Sequence, residues 1–122
     1  MDAVEMLLLF DYYGDMLTER QRMCLDLRYN QDLSLAEISE HEGISRQGVR
    51  DHIKRGEVYM AELEEKLHFA KKFQELLAVS DEVLMHCENI ARVNNGFMQS
   101  QAIAQSAESI YTLISSYIDK NF

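Results

Sequence analysis

Residues 35–55, LAEISEHEGISRQGVRDHIKR, carry the strongest signal for a fold, because their pattern predicts two short helices joined by a tight turn. Ser34 with Glu37 fits a capping box, which predicts the start of the first helix. Gly43 falls where that helix must end in a left-handed residue, which glycine adopts without steric cost. The apolar residues that can hold the two helices in a wedge are Ile38, Ile44, Val49 and Ile53. The stretch predicts a helix-turn-helix.

The rest of the chain also favours helices. Among 122 residues there are no prolines and five glycines, and no stretch alternates apolar and polar residues as a strand would. Thr18 with Gln21 fits a second capping box, and Ser45 is an N-cap candidate without a box. The predicted helices cover residues 3–13, 19–29, 35–42, 46–66 with a continuation to about 93 after a break, and 98–119. The predicted fold class is therefore all-α, a helix-turn-helix bundle continuing into long C-terminal helices.

The C-terminal half carries two apolar stripes at helical spacing. The first consists of Met60, Leu63, Leu67, Ala70 and Leu77, and the second of Ile103, Ala107, Ile110, Ile114 and Tyr117. Helices with such stripes must bury them, so we predict a helical hairpin over residues 67–122 beside a helix-turn-helix domain over residues 1–66. The hairpin could pack on that domain or on a second subunit, so a homodimer through the C-terminal helices is left open.

The net charge and the positions of the two cysteines exclude several kinds of protein. The chain has 21 acidic and 12 basic residues and a formal net charge of −9, which excludes a protein that coats phosphates by bulk charge. Cys24 and Cys87 lie far apart and match no metal or disulfide pattern, and we expect Cys24 to be a small core residue. With no signal peptide and no apolar run of about 20 residues, we expect a cytoplasmic protein without a membrane span.

A local basic patch stands out against this acidic background. Between residues 46 and 55, four cations against one anion give a formal charge of +3. The candidate nucleic-acid-binding residues are Arg46, Gln47, Arg50, Lys54 and Arg55. Guanidinium and ammonium groups suit phosphate or guanine, and an amide suits adenine. The alternative is a protein-interaction module, since Glu37, Glu40 and Glu42 crowd the preceding helix and could meet a basic partner.

The pattern resembles two known families. The residues that resemble the region-four helix-turn-helix of bacterial sigma factors are Leu17, Thr18, Arg20–Arg22, Leu35–Ile38, Gly43–Ser45, Val49 and Ile53–Arg55. The chain is more similar to the YlxM family of small helix-turn-helix proteins. The residues that carry this similarity are Ser45-Arg46-Gln47, Val49, Asp51, Ile53–Arg55, Glu57 and Glu64–Leu67. This second resemblance covers roughly residues 4–70, including Leu7, Leu8, Phe10, Asp11, Tyr13 and Gly14.

The YlxM resemblance implies a cytosolic protein linked to the bacterial signal recognition particle by gene neighbourhood. The implied role is accessory or regulatory, through the particle's RNA, its GTPase, or both. The sigma-like fold instead implies duplex DNA binding by a transcriptional regulator, with the same five side chains facing the major groove. The chain departs from a full sigma factor in lacking core-polymerase-binding regions before Leu17. No phosphate loop, nucleophile motif or ligand-spaced histidine cluster is present, so we expect no enzyme, cofactor or metal.

Overall fold

The structure is a computed structural model that describes residues 2–122, with the backbone alone at positions 97 and 98. The prediction of an all-α fold is confirmed, and the described range contains no strand. The helices are α1 (Ala3–Tyr13), α2 (Glu19–Tyr29), α3 (Leu35–Glu42), α4 (Arg46–Leu67), α5 (Phe69–Val93) and α6 (Gln101–Asn121). A 3-10 turn over Gly14–Met16 follows α1, and a π-helical turn over Asn94–Met98 leads from α5 to α6. No helix in the described part is both long and apolar enough to cross a membrane.

The predicted helix starts are confirmed by their caps. The Thr18 hydroxyl accepts the N–H of Gln21 at 3.2 Å, and the Gln21 side chain accepts the N–H of Thr18. Ser34 and Glu37 form the same reciprocal pair at the start of α3. The Ser45 hydroxyl accepts an amide of the first turn of α4 at 3.0 Å, without a box. Each cap satisfies amides that have no partner within the helix, so local sequence sets these three boundaries.

The turn of the helix-turn-helix depends on Gly43, which takes the left-handed conformation with φ at 67°. Its N–H and that of Ile44 both donate to the carbonyl of Ser39, at 2.9 and 3.3 Å. The Ser39 hydroxyl in turn donates to the carbonyl of Ile44. The last carbonyls of α3 are thereby satisfied while the chain reverses toward α4, as glycine at this position predicts.

The predicted wedge forms the centre of a packed core. Ile38 and Val49 are 0% exposed and Ile53 is 9% exposed. Cys24 and Leu25 of α2 are also fully buried in this cluster, which confirms the prediction for Cys24. α1 adds Met6, Leu9 and Tyr13 to the cluster, so α1–α4 share one apolar interior. The packing of α4 against these helices presents its opposite side to solvent.

The predicted break in the long helix lies at His68. α4 ends at Leu67, His68 takes a left-handed conformation with φ at 57°, and α5 starts at the next residue. Gly48 and Gly56 are the two glycines between residues 46 and 93, where a break would be expected, yet both lie inside α4 and do not interrupt it. The break thus lies next to the predicted helix end at residue 66, and contacts from elsewhere in the chain stabilise the new helix start.

Four residues of the predicted stripe, Met60, Leu63, Leu67 and Ala70, are buried or half-buried in one cluster, and Leu77 is half-buried further along α5. Met60 and Ala70 are 0% and 1% exposed and belong to the core described above, with Leu63 and Leu67 packed against it. The left-handed residue at position 68 resets the helical phase, so the spacing of one helix does not continue into the next.

The chain divides into two compact units, the first ending at Lys72 and the second covering Phe73–Phe122. In the second unit α5 and α6 form an antiparallel hairpin. The rings of Phe73 and Phe122 meet edge to face at its open end, with their centroids 5.7 Å apart. At the closed end the Asn94 amide accepts the N–H of Ser100 and donates to its carbonyl, both at 2.7 Å.

Between its ends, the hairpin buries small residues. Cys87 and Ala107 are each 4% exposed. Of the predicted seam on α6, only Ala107 is buried and Ile114 half-buried, whereas Ile103, Ile110 and Tyr117 are exposed, so that seam is not the face used within the hairpin. The packing of residues 67–122 on a domain over residues 1–66, or on a second subunit, stays a prediction.

A carboxylate supports the break between α4 and α5. Glu64 accepts the Tyr13 hydroxyl at 2.6 Å and the N–H groups of Ala70 and Lys71 at 3.0 and 3.1 Å. Burial by itself would raise the pKa of Glu64, but the hydrogen bonds from Tyr13, Ala70 and Lys71 outweigh it and lower the pKa. The carboxylate thus caps the N-terminus of α5 and ties it to α1, which explains why the helix restarts at Phe69.

This arrangement predicts a pH-dependent contribution to stability. Because the folded pKa of Glu64 lies below its unfolded value, its contribution is present above about pH 4.5 and disappears as pH falls through the folded pKa. We expect Glu64→Gln to lower the free energy of unfolding by roughly 1 kcal/mol at pH 7, since the site is only half-buried. The difference from the unmodified chain should shrink in acid. Urea unfolding at neutral and acidic pH measures it, with the exposed neighbour Glu65→Gln as control. An equal loss in both variants, or a loss independent of pH, would contradict the capping role.

Candidate nucleic-acid interface

The exposed side of α4 carries all five residues predicted to bind nucleic acid. Arg46, Gln47, Arg50, Lys54 and Arg55 are each exposed to solvent. They occupy the first three turns of the helix, opposite the buried stripe of the same helix described above. The helix-turn-helix core therefore holds one helix rigidly and directs its polar side outward, which is the arrangement by which such motifs reach a nucleic-acid groove.

Three of these five residues lie in one row along α4, and Arg55 lies on another face of the helix. Arg46, Arg50 and Lys54 follow one another at four-residue spacing, so they form a single ridge along the helix. Gln47 lies next to this ridge. Arg55 is rotated about 100° around the helix from Lys54, so it points away from the ridge, toward the start of α2. The ridge of Arg46, Arg50 and Lys54 can follow a phosphate backbone, while Arg55 needs a second contact surface.

Hydrogen bonds within α4 restrict the amide that could read a base. The Arg50 guanidinium donates to the Gln47 side-chain oxygen at 3.2 Å, and the Gln47 amide nitrogen donates to Asp51 at 3.0 Å. Both polar ends of Gln47 are therefore occupied in the free protein. A bidentate contact to adenine would have to break these two bonds, whereas Arg50 keeps further N–H groups for a phosphate.

The cations of the ridge are not neutralised by the acidic surroundings. Within the part of the chain that the structure describes, ion pairs shorter than 4 Å join Arg20 to Glu42 at 3.6 Å and His41 to Glu42 at 3.1 Å. Neither pair includes Arg46, Arg50, Lys54 or Arg55. The positive charge of this helix face is thus available to a ligand despite the net charge of −9.

Two of the three acids of α3 have partners within the helix-turn-helix. Glu37 closes the capping box, and Glu42 pairs with Arg20, which also donates to the Glu42 carbonyl at 3.0 Å. Glu40 is exposed and takes no such role in the described contacts. Reversing all three charges would therefore also disturb the helix-turn-helix itself, and the role of these acids as a docking face for a basic partner stays a prediction.

Sequence reasoning missed the side chains that orient α4. The Tyr29 hydroxyl of α2 donates to Glu57 of α4 at 2.6 Å, and burial together with this hydrogen bond raises the pKa of Tyr29 to about 12. The tyrosine stays protonated at neutral pH and keeps the bond. The two residues are 28 positions apart, so no local periodicity links them, and only the helix packing shows that they act together.

A shallow groove beside the ridge was also not predicted. It has a volume of about 560 Å³ and lies between the start of α2 and the middle of α4. Met16, Val58 and Tyr59 supply its apolar wall and are 55%, 44% and 39% exposed. Lys54 and Arg55 line the same groove. Arg55, the cation outside the ridge, therefore lies beside an apolar surface.

Comparison with known proteins places this geometry in a family. A family model described as helix-turn-helix protein, YlxM / p13 like (UPF0122), matches residues 2–100. A UPF0122 protein of Clostridium novyi is 37% identical over 117 residues, which cover 96% of this chain and 98% of the relative. One of Acetivibrio thermocellus is 40% identical, covering 95% and 100% of the two chains. One of Bacillus cereus is 52% identical over 67 residues, covering 55% of this chain and 61% of the relative.

Proposed function

Because the chain belongs to the UPF0122 family of YlxM / p13-like helix-turn-helix proteins, we propose that it binds structured RNA through α4 as a non-enzymatic accessory protein of the bacterial signal recognition particle pathway. The observation that carries the proposal is the ridge of Arg46, Arg50 and Lys54, exposed on a helix-turn-helix and free of ion pairs among the described residues. The link to the particle rests on the YlxM resemblance. Its setting would be the cytoplasm, and the particle's GTPase is a second partner in the same pathway.

The side-chain arrangement favours backbone contact over base reading. Three cations at four-residue spacing suit a row of phosphates, which positions a protein without specifying sequence. Gln47, the side chain best suited to read adenine, is held by Arg50 and Asp51. The major groove of double-stranded RNA is too narrow for side chains to read, so recognition there depends on phosphates and shape. Such a surface matches RNA better than a specific duplex DNA sequence.

The acidic remainder of the chain shapes how binding would occur. With a net charge of −9, the molecule as a whole is repelled by phosphates. The protein therefore has to approach the RNA with the cationic face of α4 turned toward it. Weak non-specific binding follows from this charge distribution, which suits an accessory protein that acts on one defined RNA. A basic protein such as the RNA-binding domain of the particle's GTPase would be attracted to the remaining acidic surface.

Removal of two ridge cations tests the proposal. We expect Arg50→Ala combined with Lys54→Ala to weaken binding to the particle's RNA at least about tenfold. The slope of log K against log salt should become shallower by about two, since two phosphate contacts are lost. The matched control is Lys71→Ala with Lys72→Ala, which removes the same charge from exposed positions outside the ridge. Fluorescence anisotropy titrations at two salt concentrations measure both quantities.

The alternative function is duplex DNA binding by a transcriptional regulator with a sigma-region-four-like helix-turn-helix. The exposed start of α4, which is the part that enters the major groove in such proteins, favours this candidate. Parallel titrations with duplex DNA separate the two. Preference for the particle's RNA supports the proposal, whereas preference for duplex DNA, or equal losses in the ridge and control variants, would overturn it.

A further inference from the structure

We propose that one side of the hairpin formed by α5 and α6 is a docking face for the same face of a second copy of the chain, giving a four-helix dimer. On α5 the face consists of Leu76, Val79, Ile90 and Val93, which are 45–57% exposed. With the half-buried Val83 and the exposed His86 between them, their spacing alternates three and four residues in the manner of a coiled-coil seam. About half of the surface of each of these four side chains is open to solvent.

α6 carries a matching stripe. With Ser106 after Ile103, the residues Ile103, Ile110, Leu113 and Tyr117 follow the same alternation, and these four are 39%, 42%, 72% and 60% exposed. Ile103, Ile110 and Tyr117 belong to the seam that the sequence suggested, and Leu113 directly precedes the seam residue Ile114. The second unit thus has two exposed apolar stripes, one on each of its helices.

Both stripes point to the same side of the hairpin. On each helix the stripe residue comes immediately before an inward-facing one, as Ile90 precedes Ala91 and Ile103 precedes Ala104. One residue back is a rotation of about 100° around the axis of the helix. Because the two helices run in opposite directions, this rotation turns both stripes toward one side. The stripes therefore form one broad apolar face.

The opposite side of the hairpin is polar. The residues that follow the inward-facing ones include Asp81, Glu88 and Arg92 on α5 and Glu108 and Asp119 on α6. An excess of acids on this side would be repelled by an anionic lipid surface, whereas helices that lie on membranes carry lysine and arginine there. The apolar face is therefore better suited to a protein than to a bilayer.

A second copy is the occupant that fits the face. Eight side chains at about half exposure offer roughly 800 Å² per chain, which is the area each partner contributes to a stable interface of standard size. No charged residue lies within either stripe, so two chains of charge −9 can meet there without direct repulsion. Two identical hairpins related by a twofold axis bury the same face on each and close a four-helix bundle.

The face also contains a polar pair that can set the register. His86 and Ser106 lie in the two stripes, one residue before the buried Cys87 and Ala107, so they are level with one another across the hairpin. Polar residues in an otherwise apolar bundle core specify alignment at some cost in stability. In the dimer this polar band lies near the middle of the interface.

Sedimentation velocity on the full chain at micromolar concentration tests the inference. We expect a species of about twice the 14.2 kDa chain mass. Val79→Glu and Leu113→Glu should each raise the dimer Kd about a hundredfold or more, because every dimer would bury the new charge twice. The matched control is Met85→Glu, on the same helix as Val79 and 58% exposed against 57%, but on the polar side. It should leave the dimer intact.

Circular dichroism shows whether each variant keeps its helices. A monomeric unmodified chain with full helicity would overturn the inference, and so would equal dissociation of the Met85→Glu and Val79→Glu variants. Because the dimer face and the α4 ridge consist of different residues, the RNA titrations of the ridge variants are a separate measurement. Failure of either proposal can therefore be distinguished from failure of the other.

Discussion

Replacement of Ile38 by alanine should lower the free energy of unfolding of the helix-turn-helix by about 2–5 kcal/mol, the range for removing a large aliphatic side chain from a packed core. Ile38 is 0% exposed and lies in the cluster that joins α2, α3 and α4. The cavity would open at the contact between α3 and the helix that carries the cationic ridge. A loss of this size is a large fraction of the stability of a small domain.

Two milder substitutions calibrate this prediction. Ile38→Val removes one methylene and should cost about 0.5–1.5 kcal/mol. Val4→Ala changes a residue that is 76% exposed and should have little effect. Urea unfolding followed by circular dichroism gives the three values. If Ile38→Ala were no more costly than Val4→Ala, the wedge would not be the centre of this core.

Replacement of Gly56 by valine should destabilise the same unit by about 3 kcal/mol or more, because overpacking a core already costs 1–3 kcal/mol for smaller insertions. A Cβ at position 56 would lie 2.6 Å from Cδ1 of Leu25, and Leu25 is itself 0% exposed. Since the side chain of Leu25 has little room to turn, α2 and α4 would have to separate. The Tyr29–Glu57 hydrogen bond, one residue further along α4, would be strained by that movement.

Alanine substitutions at two glycines of α4 separate the effect of the close contact with Leu25 from the effect of helix propensity. Gly56→Ala and Gly48→Ala each gain up to about 1 kcal/mol of helix propensity in the same helix. At Gly48 the nearest atom to a new Cβ is the Ser45 hydroxyl at 3.2 Å, which needs only a small adjustment. We therefore expect Gly48→Ala to be neutral or stabilising and Gly56→Ala to be destabilising, in thermal unfolding. Equal shifts in the two variants would rule out a close approach of α2 at Gly56.

Much of the fold could be predicted because its signals are local. A hydroxyl three residues before a glutamine or glutamate satisfies amides in the same turn, so Thr18 and Ser34 mark helix starts without reference to distant residues. Gly43 likewise reports its own backbone conformation. The candidate interface could be anticipated for the same reason, since exposed cations at four-residue spacing share one face of any helix.

The features that escaped prediction depend on residues far apart in the chain. Gly48 and Gly56 are equivalent as sequence signals, yet only Gly56 lies where another helix approaches closely. A break after residue 66 was predicted, but its cause was not, since Tyr13, 51 positions before Glu64, joins that carboxylate in capping α5. No window of sequence contains both partners, so no periodicity can reveal the contact.

Local sequence signals are enough to predict that the chain is helical, where its first four helices begin, and which side chains of α4 face solvent. These properties follow from hydrogen bonds and spacing within a single helix or turn. The packing of the helices is needed to show which apolar residues share a core, which partners the acids of α3 have within the fold, and which side of the hairpin is exposed. Those outcomes depend on the order in space of helices distant in sequence, because burial is a property of packed surfaces rather than of any one stretch of chain.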